Sequence, residues 1–245
     1  MHATLAQPIA GSSPLFKARM AGFFWLMTII TGMFGFIAGG RFIVAGDAAT
    51  TAANILQHEL LFRLAFCANL VATACYLAVT LFVYQLLKPV SRTVASFVVL
   101  FSLMGCATGL VSGLLLLAPL NLLGGAPYLS TFTVPQLQAL SLTVLILSLR
   151  LNDIGMTFFG LHVLSIGYLI RKSTFLPRIL GTLLFVTGAC YLTNSFATFL
   201  DLPLKNYLLP FVAIGGLLGE GSLTAWFLAK GVNVQGWNEE AARTE

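Results

Sequence analysis

Charged residues are scarce in this chain of 245 residues, and their scarcity excludes an ordinary water-soluble domain. Only 9% of the residues are Asp, Glu, Lys or Arg, whereas soluble globular proteins contain about a quarter. Hydrophobic residues make up 58% of the sequence, and the mean hydropathy is +0.93. A soluble fold of this size could not bury so much apolar surface. We therefore predict an all-α integral membrane protein.

The motifs of several common enzyme classes are also missing. The sequence has no GxSxG nucleophile motif, no HExxH metal motif, no P-loop and no GxGxxG fingerprint. Its four cysteines lie in apolar runs without CxxC or zinc spacing, so we expect buried thiols and no disulfide framework. The net charge of +5 comes from scattered Lys and Arg, so we expect no nucleic-acid partner.

Six apolar runs are long enough, or nearly long enough, to cross a bilayer as helices. A bilayer core needs roughly twenty apolar residues in a helix, and hydrocarbon offers no water to satisfy an irregular backbone. The first run follows Lys17 and Arg19 and is too long for a signal-peptide core, so we predict an uncleaved span. The six predicted spans cover about residues 21–40, 60–87, 94–118, 154–170, 179–200 and 207–229.

The basic residues predict the orientation of these spans. With a cytoplasmic N-terminus, nine of the thirteen Lys and Arg lie inside, three lie outside and Arg63 lies within the second span. Basic residues are retained on the cytoplasmic side during insertion. We therefore predict a cytoplasmic N-terminal segment (1–20), a single six-helix membrane domain (21–230) and a short cytoplasmic tail (231–245).

Residues 135–150 are apolar but short for a span. As a helix they would measure about 22 Å, against a hydrocarbon core of about 30 Å. A seventh span here would place Arg171, Lys172 and Arg178 outside, against the charge bias. We predict an extra interfacial or re-entrant helix on the outer side, reached through the Gly/Pro-rich loop 121–135.

Glycines at short, regular spacing indicate where helices approach one another. Gly105, Gly109 and Gly113 recur every four residues in the third predicted span. One face of that helix is therefore bare backbone, which a neighbouring helix can approach closely. We interpret this face as helix packing, and the first span suggests the same with Gly32, Gly35 and Gly39.

A few polar side chains lie at membrane depth, where an ionisable group is costly unless it is paired or hydrated. Glu220 lies near the middle of the sixth predicted span, and His162 near the middle of the fourth. Because the spans bring these groups to comparable depth, we predict an outward-facing polar pocket. Its candidate residues are Arg63, Asn69, His162, Tyr191, Asn194 and Glu220, with His58, Glu59, Asp153 and Asp201 at its entrance.

The same residues also permit structural interpretations. Glu220 could be neutral and hydrogen-bonded, or could pair with Arg63, while the spacing of Glu59 and Arg63 permits a helix-surface ion pair. For His162 we favour an interhelical hydrogen bond, because no HxxxH or HxxxD pair lies on one helix. We therefore predict no metal and assign no cofactor. One face of the fifth span would line the pocket through Thr187, Tyr191, Asn194, Thr198 and Asp201.

Several stretches together resemble a known membrane family. Residues 158–192 read FFGLHVLSIGYLIRKSTFLPRILGTLLFVTGACYL, and GEGSLTAWFLAKGV follows at 219–232. Earlier stretches fit too, with KARMAGFFWLMTIITGMF at 17–34 and RLAFCANLVATACYLAVTLFVYQLLKPVSR at 63–92. These motifs resemble the bacterial family known as domain of unknown function 4386. The resemblance implies a six-helix protein of the bacterial cytoplasmic (inner) membrane, and it implies no activity.

Three functional hypotheses follow. In the first, the protein binds a small or lipid-like ligand or passes a proton or solute, with Glu220 titrating, His162 as its partner and Arg63 as counter-charge. In the second, it is a membrane enzyme that uses Glu220 and His162 as an acid/base pair or metal ligands on a lipid or isoprenoid. In the third, it is a non-catalytic partner or sensor subunit whose glycine faces serve association with an oligomer or another membrane protein. The lipid bilayer is a partner in all three.

Overall fold

The computed structural model describes residues 13–243, and this part of the chain is almost entirely helical. Six helical segments, the last of them Tyr207–Ala229, are long and apolar enough to cross a membrane, which confirms the predicted all-α membrane architecture. Of the predicted terminal segments, residues 1–12 and 244–245 lie outside the described residues. The helices are α1 (Pro14–Gly40), α2 (Ala48–Gln57), α3 (Glu59–Leu87), α4 (Arg92–Leu123), α5 (Val134–Lys172), α6 (Arg178–Phe199), α7 (Lys205–Gly216), α8 (Ser222–Ala229) and α9 (Val234–Ala242), with a 3-10 turn at Pro127–Leu129 and a π turn, Leu217–Gly221, joining α7 to α8.

Local side-chain chemistry explains where two of these helices begin. The Asp47 carboxylate accepts hydrogen bonds from the hydroxyl and the backbone N–H of Thr50, which caps α2. These bonds hold the pKa of Asp47 below its usual value, because they favour the charged form. At the start of α5, Thr133 and Gln136 form a reciprocal capping box.

Residues 135–150 do not form a separate helix, and that part of the prediction was wrong. They are the first part of α5, which continues for 39 residues to Lys172. No proline interrupts residues 136–172, and the fully buried Leu145 gives this first part a packed core of its own. At 1.5 Å per residue α5 is about 58 Å long, nearly twice the thickness of the hydrocarbon core.

The extra helix beside the six spans is α2, between α1 and α3. It packs against α4 and α5. Its Ile55 joins Phe42, Phe62, Leu120 and Leu145 in a small apolar cluster. Burial of each such side chain contributes about 1.5–3 kcal/mol, so this cluster stabilises both α2 and the first part of α5.

A larger apolar core lies between the helices at the other end of the bundle. Trp25, Ile166 and Phe227 are fully buried there, on α1, α5 and α8. Many other large apolar side chains point outward instead. Ile37 is 62% exposed and Leu217 is 68% exposed, as expected where lipid is the surrounding solvent.

The four cysteines are all free, and they differ in burial. Cys106 is buried between helices, whereas Cys67 is exposed. The prediction of buried thiols was therefore wrong for Cys67. A lipid-facing helix position accepts a thiol because the thiol behaves as a small, weakly polar hydrophobe.

Helix α1 packs against α3 along much of its length and also contacts α8 near its start. Near its start, Gly22 lies against Phe227 and Leu228 of α8. In its second half, Gly35 lies against the side chain of Asn69 on α3. Helix α7 packs chiefly against α6. The α1–α3 pair and the α6–α7 pair therefore approach each other mainly around α8, next to the π turn.

Candidate functional site

Glu220 lies in the π turn, inside the last membrane-spanning segment. π turns are rare, and they occur frequently at functional sites. Here the hydroxyl of Thr187 on α6 donates a hydrogen bond to the Gly215 carbonyl. One turn later on α6, the hydroxyl of Tyr191 donates to the Glu220 carboxyl group. A regular α-helix would place residues five apart about 140° from each other around its axis. The wider π turn allows both groups to face α6.

Both carboxyl oxygens of Glu220 accept a hydrogen bond. The indole N–H of Trp25 donates to Oε2 at 3.0 Å, and the hydroxyl of Tyr191 donates to Oε1 at 2.7 Å. Trp25 belongs to α1 and Tyr191 to α6, so the carboxyl group joins three parts of the bundle. Hydrogen bonds to a charged acceptor are about twice as strong as neutral ones, so these two donors offset part of the cost of a charge at this depth.

The candidate site is only partly enclosed. Trp25 is fully buried, but Glu220 and Tyr191 keep part of their surface exposed. Asn69 and Asn194, two other predicted pocket residues, are also partly buried, but among the described residues neither donates a hydrogen bond to Glu220. The candidate site therefore lies at the edge of the main core and is not sealed within it.

His162 is fully buried on α5 and contacts α4. Its Nδ1 lies 2.7 Å from the backbone oxygen of Val98. Because a carbonyl can only accept, Nδ1 carries a hydrogen, and in the neutral imidazole Nε2 then presents a lone pair. The described residues provide no hydrogen-bond partner for Nε2. His162 therefore makes the kind of interhelical bond that we favoured from the sequence.

Two aromatic rings connect His162 to Glu220. The ring of Tyr76 on α3 lies 5.4 Å from the imidazole and 6.1 Å from the indole of Trp25, measured between centroids. The indole in turn donates to Glu220. Sequence reasoning missed both Trp25 and Tyr76, because an aromatic residue in an apolar run is typical of packing. The available signal was that a Trp at this depth needs an acceptor for its N–H.

Arg63 lies apart from the Glu220 carboxyl group. Its guanidinium lies 2.7 Å from Glu59, one turn earlier on α3, and both side chains are about half exposed, at 53% and 47%. This is the helix-surface pair that the spacing permitted. His58, between α2 and α3, bonds through Nδ1 to the backbone oxygen of Asn54. These predicted residues therefore form local contacts at the start of α3.

The two predicted aspartates at the entrance also have local partners. Asp153 on α5 lies 3.8 Å from Arg150, and its backbone oxygen accepts a hydrogen bond from Ser195 of α6. Asp201 pairs with Lys205, and the hydrogen bond from that ammonium group lowers the pKa of Asp201. Within residues 13–243, no three His, Cys, Asp or Glu side chains gather as metal ligands would.

The glycine face of α4, formed by Gly105, Gly109 and Gly113, contacts α5 at one end and α3 at the other. A Cβ atom added to Gly105 would lie 2.9 Å from Phe159 of α5, and one added to Gly113 would lie 3.2 Å from Phe66 of α3. A Cβ atom on Gly109 would have no neighbour within 4 Å among the described residues. Close helix packing therefore uses the two ends of this face.

Small hydroxyl residues that the sequence analysis passed over connect adjacent helices. Ser112 of α4 and Ser148 of α5 each donate to the other's backbone oxygen at 2.8 Å. The hydroxyls of Thr80 on α3 and Ser102 on α4 lie 2.6 Å apart. Isolated Ser or Thr residues give no such signal in sequence, because they can equally bond to their own helix.

Comparison with known proteins gives a family and no activity. A family model described as "Domain of unknown function (DUF4386)" matches residues 20–231. An uncharacterized protein of Archaeoglobus fulgidus is 24% identical over 148 residues, which cover 60% of this chain and 72% of the archaeal protein. No solved structure matches the chain. The matched segment contains Trp25, Tyr191 and Glu220, so the candidate site lies within the part of the chain that the family model covers.

Proposed function

Since the chain belongs to the family described as Domain of unknown function (DUF4386), whose description assigns no chemistry, we propose from its own side chains that it binds and releases a proton at Glu220. The observation that carries this proposal is that Trp25 and Tyr191 donate to the two carboxyl oxygens of Glu220 within a membrane span. An ionisable group at this depth is costly, and such groups commonly belong to proton or ion pathways.

Protonation would change the contacts among three helical segments. The carboxylate accepts from Trp25 on α1 and from Tyr191 on α6, and a neutral carboxyl group is the weaker acceptor. Uptake of a proton would therefore weaken both bonds and loosen the π turn from α1 and α6. Release would restore them. The proposed function thus couples the charge of Glu220 to the packing of the bundle.

A proton is favoured over a larger ligand because protein donors already occupy both carboxyl oxygens. Each oxygen keeps a further lone pair, but a bound amine or alcohol would have to reach it beside Trp25 and Tyr191. The acid/base enzyme hypothesis has less support, because the rings of Tyr76 and Trp25 lie between the His162 imidazole and the Glu220 carboxyl group. An enzyme of that kind needs both groups at one reacting atom.

The proposal places this site in the bacterial cytoplasmic membrane, with both termini in the cytoplasm. Nine of the thirteen basic residues then lie inside, which is the distribution that membrane insertion favours. The flanking segments 1–20 and 231–245 would both be cytoplasmic, around one membrane domain, 21–230. Helix α2 and the first part of α5 would lie on the outer side.

Infrared spectroscopy tests the proposal directly. The full chain is reconstituted in lipid vesicles, and the C=O stretch of protonated carboxyl groups is followed between about pH 4 and pH 9, a range that covers ordinary and strongly perturbed carboxyl groups. We expect a titrating band that is lost in Glu220→Gln, because the amide keeps the shape of the side chain but cannot titrate. Vesicles loaded with a pH-sensitive dye then tell whether the bound proton also crosses the membrane.

Glu59→Gln is the matched control, since Glu59 is half exposed and paired with Arg63. This variant should keep the band that Glu220→Gln loses. A spectrum of Glu220→Gln that keeps every titrating component of the unmodified protein would contradict proton binding at Glu220. Dye-loaded vesicles that show no proton flux would limit the function to proton binding.

A further inference from the structure

A basic cleft of about 350 Å³ lies where α5 ends and α6 begins. We infer that this cleft binds the anionic headgroup of a membrane phospholipid. The inference is independent of Glu220, which does not line the cleft. Three cationic side chains and two aromatic rings form the lining, which consists of Tyr168, Arg171, Lys172, Arg178 and Phe185.

The ion pairs of Glu59, Asp153 and Asp201 engage other basic residues and lie outside the cleft. Arg171 donates to the Thr182 hydroxyl at 2.7 Å and lies 6.0 Å from the centre of the Phe185 ring. Lys172 lies 5.9 Å from the centre of the Tyr168 ring. Neutral groups therefore position the Arg171 and Lys172 side chains, and most N–H donors of these two residues stay available to bind an anion. Arginine and lysine donors are well suited to phosphate oxygens.

Backbone contact between α5 and α6 fixes the geometry of the cleft. A Cβ atom on Gly181 would lie 2.6 Å from the Gly167 carbonyl oxygen, and one on Gly167 would lie 2.8 Å from the Gly181 carbonyl oxygen. The two helices can approach this closely because neither glycine has a side chain. Arg171 and Arg178 are thus placed beside the same contact before any ligand binds, which lowers the ordering cost of binding.

The surface beside the cleft favours a lipid over a soluble anion. Ile179 and Val186 lie seven residues apart on one face of α6, and they are 61% and 53% exposed. On α5, Tyr168 is 43% exposed. An acyl chain would continue from the headgroup along this apolar surface. Basic pockets between helices at the cytoplasmic side of a membrane are suited to anionic headgroups.

The test measures binding of phosphatidylglycerol and phosphatidylcholine to the full chain in detergent micelles by native mass spectrometry. We expect the unmodified protein to prefer phosphatidylglycerol. The double variant Lys172→Gln with Arg178→Gln should weaken phosphatidylglycerol binding by at least about tenfold, because two charges near the headgroup are lost. Arg171 is left in place, since it bonds to Thr182 and packs on Gly181.

The matched control is Lys88→Gln with Arg92→Gln, which removes equal charge from the α3–α4 turn at the same end of the bundle. This control should keep its affinity for phosphatidylglycerol. Equal weakening in both double variants, or equal binding of the two lipids, would overturn the inference. So would displacement of phosphatidylglycerol by inorganic phosphate at the same concentration, which would indicate a soluble anion. If the first double variant fails to fold, Arg178→Gln alone provides the comparison.

Discussion

Trp25 shows how one buried donor can organise a polar site in an apolar bundle. Its indole N–H donates to Glu220, and its ring packs edge-on against Tyr76. The charge of a Glu is visible in any sequence, and the spacing along α6 also indicated Tyr191. The donor on α1 was not predictable, because α1 and the π turn are far apart in sequence and a Trp in an apolar run is usually a packing residue.

Replacement of Trp25 by Phe should lower the free energy of unfolding by about 1–3 kcal/mol. The ring packing is largely kept, while one oxygen of Glu220 loses its donor at membrane depth. Unfolding of the purified protein in mixed detergent micelles, followed by circular dichroism, measures the change. Trp226→Phe is the control, because the Trp226 ring nitrogen has no hydrogen-bond partner among the described residues. Equal destabilisation of both variants would show that the indole N–H adds nothing.

Between elements, the closest packing of α5 and α6 comes from two pairs of glycines. Gly160 faces Gly188, and Gly167 faces Gly181, so the pairs lie seven residues apart on each helix. The four-residue glycine spacing in the sequence indicated α4 instead. Pairing between two helices depends on their relative register, which the spacing within either helix alone does not reveal.

Gly181→Ala should destabilise the bundle, whereas Gly109→Ala should be neutral or stabilising. A Cβ atom on Gly181 would overlap the backbone oxygen of Gly167, at a cost of about 1–3 kcal/mol. On Gly109 the same atom meets nothing within 4 Å, and alanine is favoured over glycine in a helix by up to about 1 kcal/mol. Thermal unfolding of the two variants gives the comparison. A large loss in Gly109→Ala would instead indicate that a partner helix covers this face.

For the whole molecule, hydropathy predicted the number of spans but not the extent of every helix. The length argument assumed that a helix ends near the membrane surface, and α5 does not. Its first part is stabilised through Leu145 by Ile55 of α2, a contact between distant segments that apolar runs do not encode. Two of the residues predicted for the pocket or its entrance were also not placed by the sequence pattern alone. Arg63 and Asp153 pair with residues about one turn away on their own helices.

Cysteine labelling tests the proposed orientation of the whole chain. In a variant with the four native cysteines replaced, Ala45→Cys lies in the exposed α1–α2 loop and Ala242→Cys at the exposed end of α9. We expect a membrane-impermeant maleimide to label Ala45→Cys in intact cells and Ala242→Cys only after permeabilisation. We expect this because most basic residues lie on the same side of the membrane as α9, which the charge bias predicts to be cytoplasmic. The opposite labelling pattern would reverse the topology.

The π turn also accommodates one residue more than a regular helix would hold between α7 and α8. Removal of one residue from 217–219 would restore a uniform helical repeat, in which Gly215 and Glu220 become four residues apart and lie about 40° from each other around the axis. The Gly215 carbonyl and the Glu220 carboxyl group would then still face α6 together. Such a deletion would remove the widened turn and keep Trp25, Tyr191 and Glu220, so it would separate the contribution of the π geometry from that of the side chains.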